Sequence, residues 1–115
     1  EFYPGVNKGA DCGTSSYAWD DVYADDFQNV ADIPFLDDRN DLAELHKIKG
    51  SGIINPRSNL EIIDDNTLPE WILSRDKKTG EILKTPEGKP FISLINFMGW
   101  LRGCIIQLDN KKKDK

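Results

Sequence analysis

Apolar residues from position 51 onward occur in short runs separated by turn residues, and this pattern constrains the fold more than any other feature. Runs of four to eight residues bounded by Gly, Pro, Asn and Asp are typical of β-strands. Closely spaced short strands favour a small barrel or a curled antiparallel sheet. We therefore predict about five short strands. The candidate segments are residues 53–55, 60–63, 71–75, 81–85, 91–98 and 103–108.

The most explicit hairpin signal lies in residues 70–85. Glu-Trp-Ile-Leu-Ser is followed by a lysine-rich turn that ends at Gly80, and Glu-Ile-Leu-Lys-Thr comes next. Two such runs joined by a short turn containing Gly indicate a β-hairpin. Residues 91–98 read as a buried strand because Phe, Ile and Leu are flanked by Pro90 and Gly99, although an apolar run this short also leaves a helix open.

One or two short helices are predicted before the strands. Leu42, Leu45 and Ile48 form a stripe at helical spacing, which predicts a helix over residues 39–49. A second helix is expected over residues 20–31, where Asp20 is placed to cap the first turn. The predicted fold class is therefore α+β.

Charge is distributed unevenly along the 115 residues. The formal net charge is −5, but nine aspartates lie between Asp11 and Asp41, where Arg39 is the only basic residue. This balance argues against a nucleic-acid partner, because nonspecific binding to nucleic acid requires a basic surface. An acidic segment of this kind indicates either a solvated face or a surface that meets a basic partner.

Residues 1–36 are predicted to form an irregular arm, because Pro, Gly and Ser interrupt every periodic pattern before residue 20. Aromatic side chains among charged ones are typical of protein interfaces. We predict that this arm binds a protein partner that has a basic surface. The candidate partner-binding residues are Tyr17, Trp19, Tyr23, Phe27, Asp20, Asp21, Asp25 and Asp26.

Two other classes of function are kept beside this one. The first is a small enzyme or cation-binding domain that uses the aspartates, which requires a carboxylate buried in an apolar cleft with a raised pKa. The segment Asp11-Cys12-Gly13-Thr14-Ser15-Ser16 offers an acid and two nucleophiles, but His46 is the only imidazole in the chain. The second is an inhibitor that imitates nucleic acid with ordered carboxylates.

No cofactor is predicted. The sequence has neither a phosphate-binding loop nor a dinucleotide fingerprint, and one His with two Cys cannot complete a zinc site. Cys12 and Cys104 are expected to be either bridged or free. Residues 91–108 contain Asn96, Arg102 and Gln107, so we read them as soluble core and predict no transmembrane segment.

The predicted organisation has an acidic aromatic arm at residues 1–36, a strand-rich domain at residues 37–110 and a frayed basic tail at residues 111–115. The predicted function is that of a non-enzymatic interaction or structural subunit of a larger assembly. One concrete form is a peripheral subunit of an organellar membrane complex, such as a photosynthetic one. The chain begins with Glu1 rather than Met, which suggests a processed organellar, periplasmic or secreted protein.

Overall fold

Two helices and one two-stranded antiparallel sheet make up the regular structure in the computed structural model, which describes residues 3–36 and 41–113. The α+β class is thereby confirmed. In chain order the elements are α1 (Asp41–His46), β1 (Gly50–Asn55), β2 (Leu60–Ile63), two 3-10 turns (Asp65–Thr67 and Glu70–Ile72) and α2 (Leu94–Lys113).

Strands β1 and β2 form an antiparallel hairpin, and the two strands predicted at residues 53–55 and 60–63 lie within them. Asn55 lies opposite Leu60, and Ile54 lies opposite Glu61. Asn59 closes the connecting loop with a φ of 59°, a left-handed conformation that Asn tolerates better than most residues. Its backbone N–H donates to the Asn55 carbonyl at 2.8 Å. The loop presents Arg57 at the surface.

The expected sheet or barrel of five strands is wrong, because the segments between residues 73 and 92 pair only through isolated bridges among the described residues. Arg75 opposes Ile82, so the predicted hairpin at residues 70–85 forms as a single bridge. Three backbone hydrogen bonds close a cycle here: Ser74 N–H donates to Phe91, Phe91 N–H to Leu83, and Leu83 N–H to Ser74. The three segments thus pair some of their backbone N–H and C=O groups with one another without forming extended strands.

The predicted strands at 91–98 and 103–108 are also wrong, since both fall largely within α2. Ser93 begins this helix as its N-cap, and its Oγ accepts from Asn96 N–H at 3.2 Å. Three lysines occupy the last turn, where positive charge favours the helix dipole. The helix alternative for residues 91–98 is thus the correct one from Leu94 onward.

The buried core is small and centres on Trp100, Ile72 and Cys104. Trp71 and Phe97 pack edge-on against Trp100, each with its ring centroid 5.8 Å from the Trp100 centroid. Edge-to-face geometry places the positive ring edge on the negative ring face. This core joins α1, the second 3-10 turn and α2.

Helix α1 confirms the described part of the helix predicted over residues 39–49, although it ends earlier, at His46. Residues 37–40 lie outside the described residues. The helix predicted over residues 20–31 does not form, and residues 3–36 contain neither helix nor strand. The predicted tail at 111–115 begins inside α2, which continues through Lys113, and residues 114 and 115 are outside the described range.

Candidate partner-binding surface

The four aromatic residues predicted to bind a partner are all exposed. The exposed fractions are 83% for Tyr17, 67% for Trp19, 91% for Tyr23 and 64% for Phe27. Water-exposed aromatic area of this size carries a free-energy cost that docking against another surface removes.

Local hydrogen bonds shape the first part of the arm. Thr14 and Tyr17 each donate a backbone N–H to the other's carbonyl at 3.2 Å. Trp19 Nε1 donates to the Cys12 sulfur at 3.1 Å, and the indole lies beside Gly13, whose φ of 80° belongs to the region that favours glycine. The Asp11–Ser16 segment therefore forms a turn that holds Trp19, and Cys12 takes part as a hydrogen-bond acceptor.

Two of the four predicted aspartates are engaged within the molecule. Arg57, in the β1–β2 loop, contacts Asp21 at 2.6 Å and Asp20 at 3.4 Å. The hydrogen bond to Asp21 and the charges of both aspartates raise the pKa of the Arg57 guanidinium above its usual value. All three side chains are exposed to solvent, so these ion pairs contribute little to the free energy of unfolding. They do bring this part of the arm against the β1–β2 loop.

Asp25 and Asp26 are exposed, and within residues 3–36 and 41–113 neither carboxylate forms an ion pair. In the sequence they lie between Phe27 and Tyr23, which is the most exposed aromatic residue that the structure describes. These two carboxylates are therefore available to a basic partner.

The end of the arm is fixed to α2 at two glycines. A Cβ atom at Gly99 would lie 2.6 Å from the Pro34 carbonyl oxygen, which is closer than real Cβ contacts allow. A Cβ atom at Gly103 would collide with the Leu36 carbonyl oxygen and the Asp41 carboxylate. The two glycines thus form a groove in which the chain backbone contacts the helix directly.

Asp41 is the one fully buried carboxylate among the described residues. Gln107 Nε2 donates to its Oδ2 at 3.1 Å, and Trp100 Nε1 donates to its backbone carbonyl at 3.2 Å. Burial and the nearby Asp41 charge raise the pKa of the Cys104 thiol. The two hydrogen bonds to Asp41 join the start of α1 to α2.

An open cleft of about 750 Å³ separates the start of the arm from the 74–78 turn. Asp11, Cys12 and Trp19 line one side, and Lys77, Lys78 and Phe91 line the other. The cleft does not include His46, which is exposed at the end of α1. The imidazole of His46 is therefore not placed in this cleft beside Cys12.

The described aspartates between residues 11 and 32 are all exposed, whereas Asp41 is buried. Asp37 and Asp38 lie outside the described residues. Within the two described ranges, no group of three or more His, Cys, Asp or Glu side chains is arranged to hold a metal ion. Cys12 and Cys104 are both free thiols, one exposed and one buried.

No family model, curated protein or solved structure matches this chain. No helix within residues 3–36 and 41–113 combines the length and apolar character that crossing a membrane requires.

Sequence reasoning did not find Arg57 as the partner of Asp20 and Asp21, because nothing in the sequence relates positions so far apart. It also overlooked an exposed apolar face on α2, for which a signal does exist: Leu94, Met98, Leu101, Ile105 and Leu108 alternate at spacings of four and three.

Proposed function

We propose that this chain is a non-enzymatic subunit of a larger protein assembly and that it docks through the arm at residues 1–36. The observation that carries the proposal is that few hydrophobic side chains are buried and many are exposed. Among the described residues, three hydrophobic side chains are buried in the core, whereas large hydrophobic side chains are exposed along the arm, on β1 and β2, and on α2. Extended exposed apolar surface marks sites of protein interaction.

The arm is the part of this surface that best fits a protein partner. Its aromatic residues carry large contact areas on side chains that lose little conformational freedom on binding. The Asp25 and Asp26 carboxylates beside Tyr23 and Phe27 favour a partner with a basic surface. Because the Arg57 contact holds the arm near Asp20 and Asp21, part of its ordering is completed before the partner binds.

The proposal is tested by affinity purification of the tagged full chain from its native source. The arm variant replaces Tyr17, Trp19, Tyr23 and Phe27 with Ser. A matched control replaces three exposed apolar residues of the hairpin, Ile53, Ile54 and Leu60, with Thr. We expect the same stoichiometric partner with the wild-type and control chains, and its loss with the arm variant, at unchanged circular dichroism.

Limited proteolysis gives a second readout. In the isolated wild-type protein the arm should be cleaved first, and the partner recovered above should protect it. Retention of the partner by the arm variant would show that docking occurs elsewhere. An arm that resists cleavage in the isolated monomer would count against a free docking segment.

A further inference from the structure

One face of α2 carries an apolar stripe that is exposed in the described structure, with Leu101 its least exposed member. Its exposed fractions are 70% for Leu94, 59% for Met98, 37% for Leu101, 65% for Ile105 and 57% for Leu108. Successive members are four, three, four and three residues apart. We call these five side chains the α2 stripe.

The α2 stripe is distinct from the face that the protein uses for its own core. Gly99, Trp100, Gly103 and Cys104 are the buried residues of α2, and they contact α1, the end of the arm and the 3-10 turn. The helix is therefore apolar on two faces, of which one is satisfied within the chain. A surface helix needs only one such face for its own fold.

The spacing of the α2 stripe favours a helix as the partner element that covers it. Alternation of four and three residues is the seam of a helix that packs side by side with another helix. The stripe spans fifteen residues, and its first and last residues are about 21 Å apart at a rise of 1.5 Å per residue. An occupant of matching length is a helix of about four turns that presents its apolar residues at the same spacing.

The positive charge at the C-terminal end of α2 favours an occupant that carries acidic residues. Lys111, Lys112 and Lys113 follow the last member of the stripe. Lys113 pairs with Asp109 at 3.0 Å, whereas Lys111 and Lys112 form no ion pair within the described residues. Acidic residues on the occupant would meet these two charges.

The same charges disfavour a second copy of this chain as the occupant. A parallel pair of α2 helices would bring the lysines of both copies together. An antiparallel pair would bring them to the residues that precede α2, Pro90 to Ser93, among which there is no acidic side chain. Neither arrangement supplies a partner for Lys111 and Lys112.

We propose that the α2 stripe binds an amphipathic helix of a partner protein, with apolar residues at four-three spacing and acidic residues beside them. This surface lies outside the arm and does not depend on the docking of the arm.

The probe is a 21-residue peptide with Leu at the seam positions and Glu at the flanking positions, and a second peptide carries Lys in place of Glu. Binding to the full chain is measured by fluorescence anisotropy. The acidic peptide should bind at least tenfold more tightly than the basic one. Ile105→Gln combined with Leu108→Gln should weaken its binding at least tenfold, whereas the hairpin control Ile53→Thr with Leu60→Thr should leave it unchanged.

Lys111→Glu combined with Lys112→Glu should reduce or reverse the preference between the two peptides. The arm variant should bind the acidic peptide as the wild type does, which separates this surface from the proposed function. Absence of binding, equal binding of the two peptides, or binding that survives the Ile105 and Leu108 changes would overturn the proposal.

Two further measurements identify the competing occupants. Self-association in analytical ultracentrifugation that Ile105→Gln abolishes would assign the stripe to a second copy. Stripe-dependent binding to vesicles of phosphatidylcholine and phosphatidylglycerol, without peptide binding, would assign it to a lipid surface. Either result overturns the helix proposal.

Discussion

Gln107 in α2 forms a hydrogen bond with Asp41 in α1, although the two residues are 66 positions apart in the sequence. This bond connects the two helices. The Gln107 amide nitrogen donates to Asp41 Oδ2, and the amide oxygen accepts from the backbone N–H of Leu42 at 3.2 Å. One side chain thus satisfies an acceptor and a donor at the start of α1, where backbone N–H groups have no partner within the helix.

Replacement of Gln107 by Leu should lower the free energy of unfolding by about 1–3 kcal/mol, because a buried carboxylate and a backbone N–H each lose a hydrogen-bond partner. Urea denaturation measures the change. In an Asp41→Leu background the same replacement should cost less, since the carboxylate is no longer present. Equal costs in the two backgrounds would show that the Asp41 contact contributes nothing to stability.

Gly103→Ala should destabilise the protein by about 1–3 kcal/mol, because the added methyl group meets the Leu36 carbonyl and the Asp41 carboxylate. The direction of the change in unfolding free energy is informative, because replacing Gly by Ala at an exposed helix position normally stabilises a protein by about 1 kcal/mol. Thermal and urea unfolding report the change. Asn110→Ala, on an exposed position of the same helix, serves as the control and should be neutral or slightly stabilising. A more stable Gly103→Ala protein would contradict the close contact.

The two cysteines should differ in reactivity. Cys12 is exposed and should react with a disulfide reagent at once, whereas Cys104 is buried and should react only when the protein unfolds. Titration of thiols in native and denaturing buffer checks this. Two rapidly reacting thiols in native buffer would contradict the packing of α2.

Stability should also fall at alkaline pH through Cys104. Because its folded pKa lies above the unfolded value, the native state holds the thiol proton more tightly. The contribution is full below the unfolded thiol pKa and is lost as pH rises toward the folded one. Cys104→Ala should remove this component of the pH dependence, and unchanged alkaline behaviour in that variant would assign it to another group.

The 76–80 turn should weaken in acid. Asp76 Oδ1 accepts from the backbone N–H groups of Lys78 and Thr79 at 2.8 and 3.1 Å, and these bonds lower the pKa of the carboxyl. Their contribution is present above the unfolded Asp pKa and is lost as pH falls through the lowered one. NMR titration of Asp76 and amide exchange of Lys78 test this.

Asp76→Asn keeps a side-chain oxygen acceptor, so it should retain most of the turn and lose the pH dependence. Asp76→Ala should speed amide exchange at Lys78 and Thr79 at every pH. A pKa of Asp76 at or above the usual value for Asp would mean that these hydrogen bonds do not form in solution.

Local patterns predicted the elements whose neighbours are close in sequence. The stripe of α1 and the strands at residues 53–55 and 60–63 were recognisable because their spacing and turn residues are contained within a few positions. The helix expected at residues 20–31 had a comparable pattern but finds no surface to pack on, and packing supplies most of the stability of a short helix.

Residues 91–98 were predicted as a strand because Phe, Ile and Leu lie between Pro90 and Gly99, whereas both Gly99 and Gly103 in fact lie inside α2. Pro34 approaches Gly99, and Leu36 and Asp41 approach Gly103. These contacts come from distant positions of the sequence, so the local pattern does not show why glycine is needed inside the helix.

Tyr17, Trp19, Tyr23 and Phe27 are exposed, and their role in partner binding stays a prediction. The sequence could not reveal that Arg57 forms ion pairs with Asp20 and Asp21, because these residues are far apart along the chain.

The close contact of Pro34 with Gly99 determines where the arm leaves the core. The end of the arm therefore lies against the same helix that carries the α2 stripe. A partner that engages either surface raises the effective concentration of the other through a short tether. Under the proposed docking, two individually weak contacts would combine into slow dissociation, and binding would add rigidity to a chain whose described core is small.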